Sequence, residues 1–378
     1  MSEALQTAPA DRQGSKGDEK IYLASQWKLM WWKFRDHKVA FVALYVVVLL
    51  YVAAAFCEFL APANPHIRDA AHSFARPQRV RIFDIEGRPH WPFVYPLVRH
   101  VDEETLVRYY TDDTTQRRPI RFFAKGDSYR MWGLIPMQRH FIGLGNSERL
   151  YLLGTDRLGR DLFSRILYGS RISLSIGLVG VTISLILGIV IGGISGYYGG
   201  IVDAIIQRLI EMLRSFPSIP LWMSLSAAMP ATWSPARVYF CMTVILALIG
   251  WTGLARVVRG KILALREEDY AMAARVAGVK EFSIIMRHLV PGFMSHLIVT
   301  VTLAIPGMIL GETSLSFLRL GLRPPTISWG VLLQEAQNVR AVQLYPWLVF
   351  PVLFVIVTVL MFNFLGDGLR DAADPYSH

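Results

Sequence analysis

The chain has 378 residues, of which 53% are hydrophobic and only 18% charged, with a formal net charge of +10. Globular domains average about 25% charged residues, so this chain is short of the polar side chains needed to coat a water-facing surface. Disorder throughout, a collagen-like chain and a disulfide scaffold are excluded. The excess of Lys and Arg does not argue for nucleic acid, because cytoplasmic loops of membrane proteins collect the same residues.

Residues 1–20 are polar and mixed in charge, the composition of a disordered cytoplasmic tail. Residues 21–38 interleave Trp27, Trp31, Trp32 and Phe34 with Lys28, Lys33, Arg35 and Lys38. That pattern suits an amphipathic helix lying in the headgroup layer, and equally the ordinary flank of a first span. The first span is expected at 39–61, with Glu58 its only charge. A span needs about 20 apolar residues to cross roughly 30 Å of hydrocarbon, so the length suffices, and the long polar tail ahead of it favours an anchor over a cleaved signal. Cys57 lies in this run and Cys241 in another, where a thiol is a small packing residue rather than a redox group.

Residues 62–150 form an insertion too large for a mere connector. Alternating runs such as Arg79-Val80-Arg81-Ile82-Phe83 and Pro119-Ile120-Arg121-Phe122-Phe123 predict a small β-rich domain, with a hairpin turning at Ala124–Ser128 around Gly126. Its aromatics, Trp91, Tyr95, Tyr129 and Trp132 among them, are expected first as core. The alternative is that they contact cargo or a docking protein.

Five further spans are expected at 173–197, 202–228, 238–258, 294–318 and 346–369, six in all, within a core covering 151–378. Pro217, Pro220, Pro306, Pro346 and Pro351 punctuate them, as buried membrane helices tolerate. Gly177, Gly180, Gly188, Gly192, Gly193 and Gly196 recur in the second span and permit close helix approach. Arg208 and Glu211, three apart, are expected to pair. The segment before the first span and the segment between spans four and five are both rich in Lys and Arg, which places both inside. The insertion then lies outside, since loops beyond about 60 residues translocate largely regardless of charge.

No phosphate loop occurs, for Gly260-Lys261 is followed by Ile262, and no H-E-x-x-H or G-x-S-x-G is present. The histidines are too scattered for a metal site. The chain is not expected to be an enzyme, to carry a cofactor or to bind metal, so any uphill transport would draw its energy from another chain. The informative inside segment, 259–291, contains LREEDYAMAARVAGVKEFSIIMRHLVP. Asp269 can cap a helix starting at Tyr270, and Gly278 can end it. A second short helix is expected at 282–288, stopping at Pro291. A slim helix of fewer than about 12 residues is marginal in water, so it wants a groove on a partner.

Ala273-Ala274, Gly278 and Leu289-Val290-Pro291 resemble the EAA motif of ABC importer permeases, whose coupling helix inserts into a cleft of the ATPase subunit. Met272 stands where that family usually has Glu. Gly154-Thr155-Asp156-Arg157-Leu158-Gly159-Arg160-Asp161, with Ser164-Arg165 and Tyr168-Gly169-Ser170-Arg171, is similar to the signature of the oligopeptide/dipeptide/nickel permeases. So is Leu315-Ser316-Phe317-Leu318-Arg319-Leu320-Gly321-Leu322, followed by Pro324-Pro325 and Ser328-Trp329-Gly330, with Arg319 at a usual Gly. Tyr197-Tyr198-Gly199-Gly200 and Asp203 fit as well.

The resemblance, to the C-type member of a two-permease pair, implies an all-α membrane protein of six transmembrane helices in the type I ABC importer architecture, with the β-rich insertion between helices 1 and 2. It implies a bacterial inner-membrane location with both termini cytoplasmic. The implied partners are a homologous second permease, two ATPases that bind ATP and Mg, and a periplasmic binding protein. Oligopeptide is the expected cargo, with oligosaccharide or chelated nickel as alternatives; a self-sufficient channel or secondary carrier is the reading from another class. Asp269, Tyr270, Ala273, Ala274 and Gly278 are the expected coupling residues. Glu312, inside the fifth span, either faces the pathway with Met308 and Ser314 or is paired structurally.

Overall fold

His37 separates two helices at the start of the computed structural model, which describes residues 26–104, 108–145, 148–230 and 232–373; the expected tail at 1–20 lies outside these. Helix α1 (Gln26–Asp36) turns Met30 and Phe34 into the core and leaves Trp27 and Trp31 exposed. The His37 ring then accepts from the Ala40 amide at 3.2 Å and caps α2 (Lys38–Ala55), the first long apolar helix. A short helix, α3 (Cys57–Leu60), extends it.

Among the described residues the insertion has seven strands in three antiparallel sheets. They are β1 (Arg81–Phe83), β2 (Pro89–Val94), β3 (Leu97–Val101), β4 (Arg108–Asp112), β5 (Arg118–Pro119), β6 (Arg121–Met131) and β7 (Ile135–Gly143). The order β1-β2-β5 makes one sheet, and β3-β4 and β6-β7 are two-stranded. A small core of Val94, Ile120, Leu144 and Leu150 holds the domain together.

The hairpin does not turn at Gly126 as expected. Strand β6 runs through that position with an irregularity between Lys125 and Tyr129, and the chain reverses at 132–134. Gly126 sits in the strand because a Cβ there would meet the His140 ring at 2.8 Å, so its role is close approach rather than a turn.

The membrane body follows as α4 (Leu162–Tyr198), α5 (Gly200–Ser215), α6 (Ser218–Ala227), α7 (Pro235–Leu265), α8 (Asp269–Val276), α9 (Glu281–Ser283), α10 (Met294–Phe317), α11 (Trp329–Leu333), α12 (Val339–Leu344) and α13 (Phe350–Ala373). Among the described residues five helical segments are long and apolar enough to cross a membrane: Lys38–Ala55, Leu162–Tyr198, Pro235–Leu265, Glu281–Phe317 and Pro346–Ala373. The expected third span at 202–228 is instead two pieces, α5 and α6. Phe216 is extended and Pro217, which has no N–H to give, leaves the helix there. Neither piece, at 16 and 10 residues, reaches the length of a span by itself.

Pro291 does not end a helix either. A π turn over Ile284–Leu289 and a 3-10 turn over Val290–Phe293 join α9 to α10, so the missing N–H is absorbed in a change of helical pitch.

Core residues come from every long helix: Ala40 and Val47 of α2, Leu174 and Ile176 of α4, Met242 and Leu246 of α7, Ile305 and Ile309 of α10, and Val355 and Phe362 of α13. The most extensive helix contact is between α4 and α7. Gly188, Gly192 and Gly196 fall one turn apart on α4, and a Cβ at Gly192 would lie 2.4 Å from the Ala255 carbonyl oxygen. Small residues there let the two backbones touch, which is the packing device of membrane helices.

Candidate functional site

Helix α8 lies between two membrane helices and is amphipathic on a very small scale. Ala271 and Ala274 are buried against Val258, Ile262, Ile284, Ile285 and Leu289. Tyr270, Met272, Ala273 and Val276 point the other way, Val276 being 87% exposed.

The ends of α8 follow local chemistry. Glu268 occupies the N-cap position and its carbonyl accepts from the Ala271 and Met272 amides at 2.9 and 3.0 Å. Asp269, expected as the cap, is the first helical residue; it keeps a negative charge at the positive helix end. At the other end Gly278 has a φ of +75°, its amide donates to the Arg275 carbonyl at 3.0 Å, and the Val279 amide donates to the Ala274 carbonyl at 3.1 Å. This is the Schellman ending expected of a left-handed glycine. Of the five expected coupling residues, Asp269, Tyr270, Ala273 and Gly278 therefore face outward, while Ala274 faces the body and lets the helix lie close to it.

Residues of the Tyr197–Asp203 stretch tie this segment down. The Tyr198 hydroxyl donates to the Glu281 carboxylate, and the Arg275 guanidinium lies over the Tyr197 ring at 5.3 Å. Arg266 Nη1 donates to the Gly196 and Tyr197 carbonyls, both at 3.1 Å. Arg259 grips Asp203 at two points, 2.5 and 2.6 Å, and the Ser195 hydroxyl donates to the same carboxylate at 2.5 Å. Sequence reasoning noted Tyr197, Tyr198 and Asp203 only as matches to a family pattern. Apart from Ser195, eight residues from Asp203, their partners lie far along the chain, where no spacing rule reaches.

Glu312 is completely buried. Its carboxylate accepts from the hydroxyls of Ser173 at 3.1 Å, Ser316 at 2.8 Å and Ser328 at 2.7 Å. The same Ser173 oxygen accepts from the Trp329 amide at 3.2 Å, and the Trp329 indole donates to the Ile166 carbonyl at 3.2 Å. Glu312 thus joins α4, α10 and α11, and of its two expected roles the geometry fits structural pairing. Met308 shares its face one turn earlier and is also enclosed; Ser314 is half-buried and off that face.

The Gly154–Arg171 signature is a second knot, where the insertion meets α4. Asp156 accepts from the Leu158 and Arg160 amides at 2.8 and 3.0 Å and pairs with Arg160 and with Arg165. The Asp161 side chain caps α4 through the Ser164 amide at 2.8 Å. Arg171 forks onto Glu58 and the Ala54 and Ala55 carbonyls at the end of the first span. Nearby, burial would raise the Asp69 carboxyl, but hydrogen bonds with His72 at 2.8 Å and Tyr151 at 2.9 Å hold it below the usual range. Of the four aromatics singled out in the insertion, Tyr95 is buried and Tyr129 half-buried, whereas Trp91 and Trp132 are exposed and donate to the Ile120 and Ala55 carbonyls at 2.9 and 2.7 Å.

Comparison with known proteins places these features. The family model for the binding-protein-dependent transport system inner membrane component matches residues 188–376, and that for the N-terminal transmembrane domain of oligopeptide transport permease C matches 25–77. The chain is 41% identical over 229 residues to the oligopeptide transport system permease protein OppC of Haemophilus influenzae, covering 60% of this chain and 71% of that protein. It is 40% identical over 222 residues to the dipeptide transport system permease protein DppC of Bacillus subtilis, 59% and 68% of the two chains. DppC of Lactococcus lactis subsp. cremoris is 29% identical over 371 residues, 96% of this chain and 94% of that one. All three are named for peptides, and the alternative expectation of oligosaccharide is not borne out. With the knots at Asp156 and Glu312 and the half-exposed α8 all in place, the chain belongs to the family of binding-protein-dependent transport system inner membrane components, and is a multi-pass permease subunit of an ABC importer.

Proposed function

We propose that this permease forms half of a pathway for oligopeptides, with a homologous permease as the other half. Two ATPase subunits that bind ATP and Mg sit on the cytoplasmic side, and a periplasmic binding protein delivers cargo to the side of the insertion. Both termini and α8 are cytoplasmic in this reading. The peptide cargo is taken from the relatives named above.

The observation that carries the coupling role is the two-faced α8. Its alanine face is packed on the body, and its outer face leaves Tyr270, Met272, Ala273 and Val276 exposed. A force on that outer face passes through Arg275, Glu281 and Arg266 into the end of α4, and through the Arg259–Asp203 pair into α5 and α7. Met272 gives the outer face an apolar contact where the resembled motif has a charge.

The test is Val276→Asp and Gly278→Leu in cells carrying the whole transporter. Both variants should insert and co-purify with the second permease, yet retain no ATPase and take up no peptide. Normal uptake with ATPase retained in both variants would overturn the assignment.

A further inference from the structure

The β6–β7 hairpin touches the end of the first membrane span at three places. His140 Nδ1 lies 2.5 Å from the Ala61 carbonyl oxygen. Next to it, the Phe123 and Phe141 rings pack on Phe59, with centroids 6.0 and 5.9 Å away. At the hairpin tip, the Trp132 amide meets Glu58 at 3.3 Å and its indole donates to the Ala55 carbonyl at 2.7 Å, while the ring packs on Phe56 at 5.5 Å. Ala55 is the last residue of the apolar helix Lys38–Ala55, so the hairpin tip lies beside the end of that helix.

That tip is apolar where a loop in water would be polar. Leu134 is 78% exposed, and Trp132 and Ile135 are exposed beside it. Trp132 has a φ of +52°, a turn position that favours Gly or Asn. A bulky residue held there is an outlier that asks for a reason. Above the tip the chemistry changes to positive charge. Lys125 faces Arg139 directly across the two strands, and Arg130 stands opposite Pro136. All three basic side chains are exposed and make no ion pair among the described residues. Like charges in register repel unless something neutralises them.

An apolar, Trp-bearing tip beneath a basic rung is the order of chemistries met on entering a leaflet, with acyl chains below and phosphates above. We propose that the β6–β7 hairpin is a lipid anchor: Trp132, Leu134 and Ile135 insert at the headgroup–acyl boundary of the leaflet where the first span ends, and Lys125, Arg130 and Arg139 bind anionic phospholipid headgroups. Continuity with the end of the first span favours lipid over a protein partner. The anchor fixes the height of the insertion above the bilayer, independently of what the transporter carries.

The test places a bimane label on Leu134→Cys, in a Cys241→Ala background, in the whole transporter reconstituted into phosphatidylethanolamine vesicles with or without phosphatidylglycerol. Ile85→Cys, an exposed site on the β1–β2 turn, is the control. The label at 134 should be quenched by lipids bearing a nitroxide near the headgroup and shielded from iodide, and the label at 85 should behave in the opposite way. Removing phosphatidylglycerol should weaken lipid quenching in the parent and leave it unchanged in Arg130→Glu/Arg139→Glu. Equal iodide quenching at 134 and 85, or crosslinking of residue 134 to the second permease, would overturn the anchor. Lipid quenching that ignores phosphatidylglycerol in the parent would overturn the headgroup contact.

Discussion

Asp203 and Arg259 hold each other at two points, 2.5 and 2.6 Å, across 56 residues of sequence, and so clamp the start of α5 to the C-terminal half of α7. Both side chains are partly withdrawn from water and joined by two charge-assisted hydrogen bonds, so the pair is worth more than a fully exposed ion pair. Arg259→Met should lower the unfolding free energy by about 1–3 kcal/mol, because it leaves a carboxylate without its main partner. Asp203→Asn together with Arg259→Met should recover part of that loss, giving a coupling energy of about 0.5–3 kcal/mol in a double-mutant cycle. Thermal unfolding of the purified complex in lipid nanodiscs reads both quantities. Strictly additive effects would mean that the clamp carries nothing.

The contact between α4 and α7 leads to a second expectation. A Cβ at Gly192 would fall 2.4 Å from the Ala255 carbonyl oxygen and 2.8 Å from its Cα, both of them backbone, so neither can swing aside. Gly192→Ala should therefore push the helices apart and cost about 1–3 kcal/mol, the usual range for overpacking. Gly307→Ala, in α10 and with nothing within 4 Å of its would-be Cβ, should be tolerated. Membrane abundance and thermal stability of the two variants compare them directly, and equal behaviour would sink the packing argument.

What could be read from the sequence was local. Apolar runs exposed the spans because about 20 residues without charge have few other uses. Gly278 exposed the end of α8 because a Schellman ending needs only its own neighbours. Misreadings arose where distant contacts overrode local signals. Gly126 resembles a turn residue, but it is the ring of His140, arriving from the opposite strand, that requires a glycine there. Trp132, which does turn, carries no turn signal itself; the signal is Gly133 beside it, at a φ of +75°. Pro217 was visible, but whether a proline kinks a span or breaks it depends on the neighbours around it. Apart from Ser316, one turn on from Glu312, the partners of Asp203, Tyr198 and Glu312 come from other elements, and no periodicity in one segment discloses them.

Glu312 gives a third expectation, which separates its two roles. If the carboxylate only ties Ser173, Ser316 and Ser328 together, a side chain of the same shape with polar atoms in the same places should serve. Glu312→Gln should keep nearly full stability and an unchanged peptide preference. Glu312→Leu would strand three buried hydroxyls and should cost about 1–3 kcal/mol for each group left unsatisfied. Competition uptake with acidic, neutral and basic tripeptides checks the first variant. A shifted preference in a stable Glu312→Gln protein would restore the pathway role.

The last expectation concerns acid. Hydrogen bonds with His72 and Tyr151, together with the Ala71 amide at 3.0 Å, outweigh burial and hold the Asp69 carboxyl below its ordinary 3.8 in the folded protein. A carboxyl whose folded value is depressed binds its proton more readily when unfolded. Its stabilising contribution is therefore complete above the unfolded value and drains away as pH falls toward the folded one. Asp69 also sits where the insertion meets the signature loop, its carbonyl within 1.8 Å of the would-be Cβ of Gly159, so loosening it should free both. As pH falls below about 4 the insertion should become progressively easier to cleave by an acid-active protease. Asp69→Asn should start from lower protection at neutral pH and change less over the same interval. If the two proteins lose protection in parallel, the acid sensitivity of the insertion comes from groups other than Asp69.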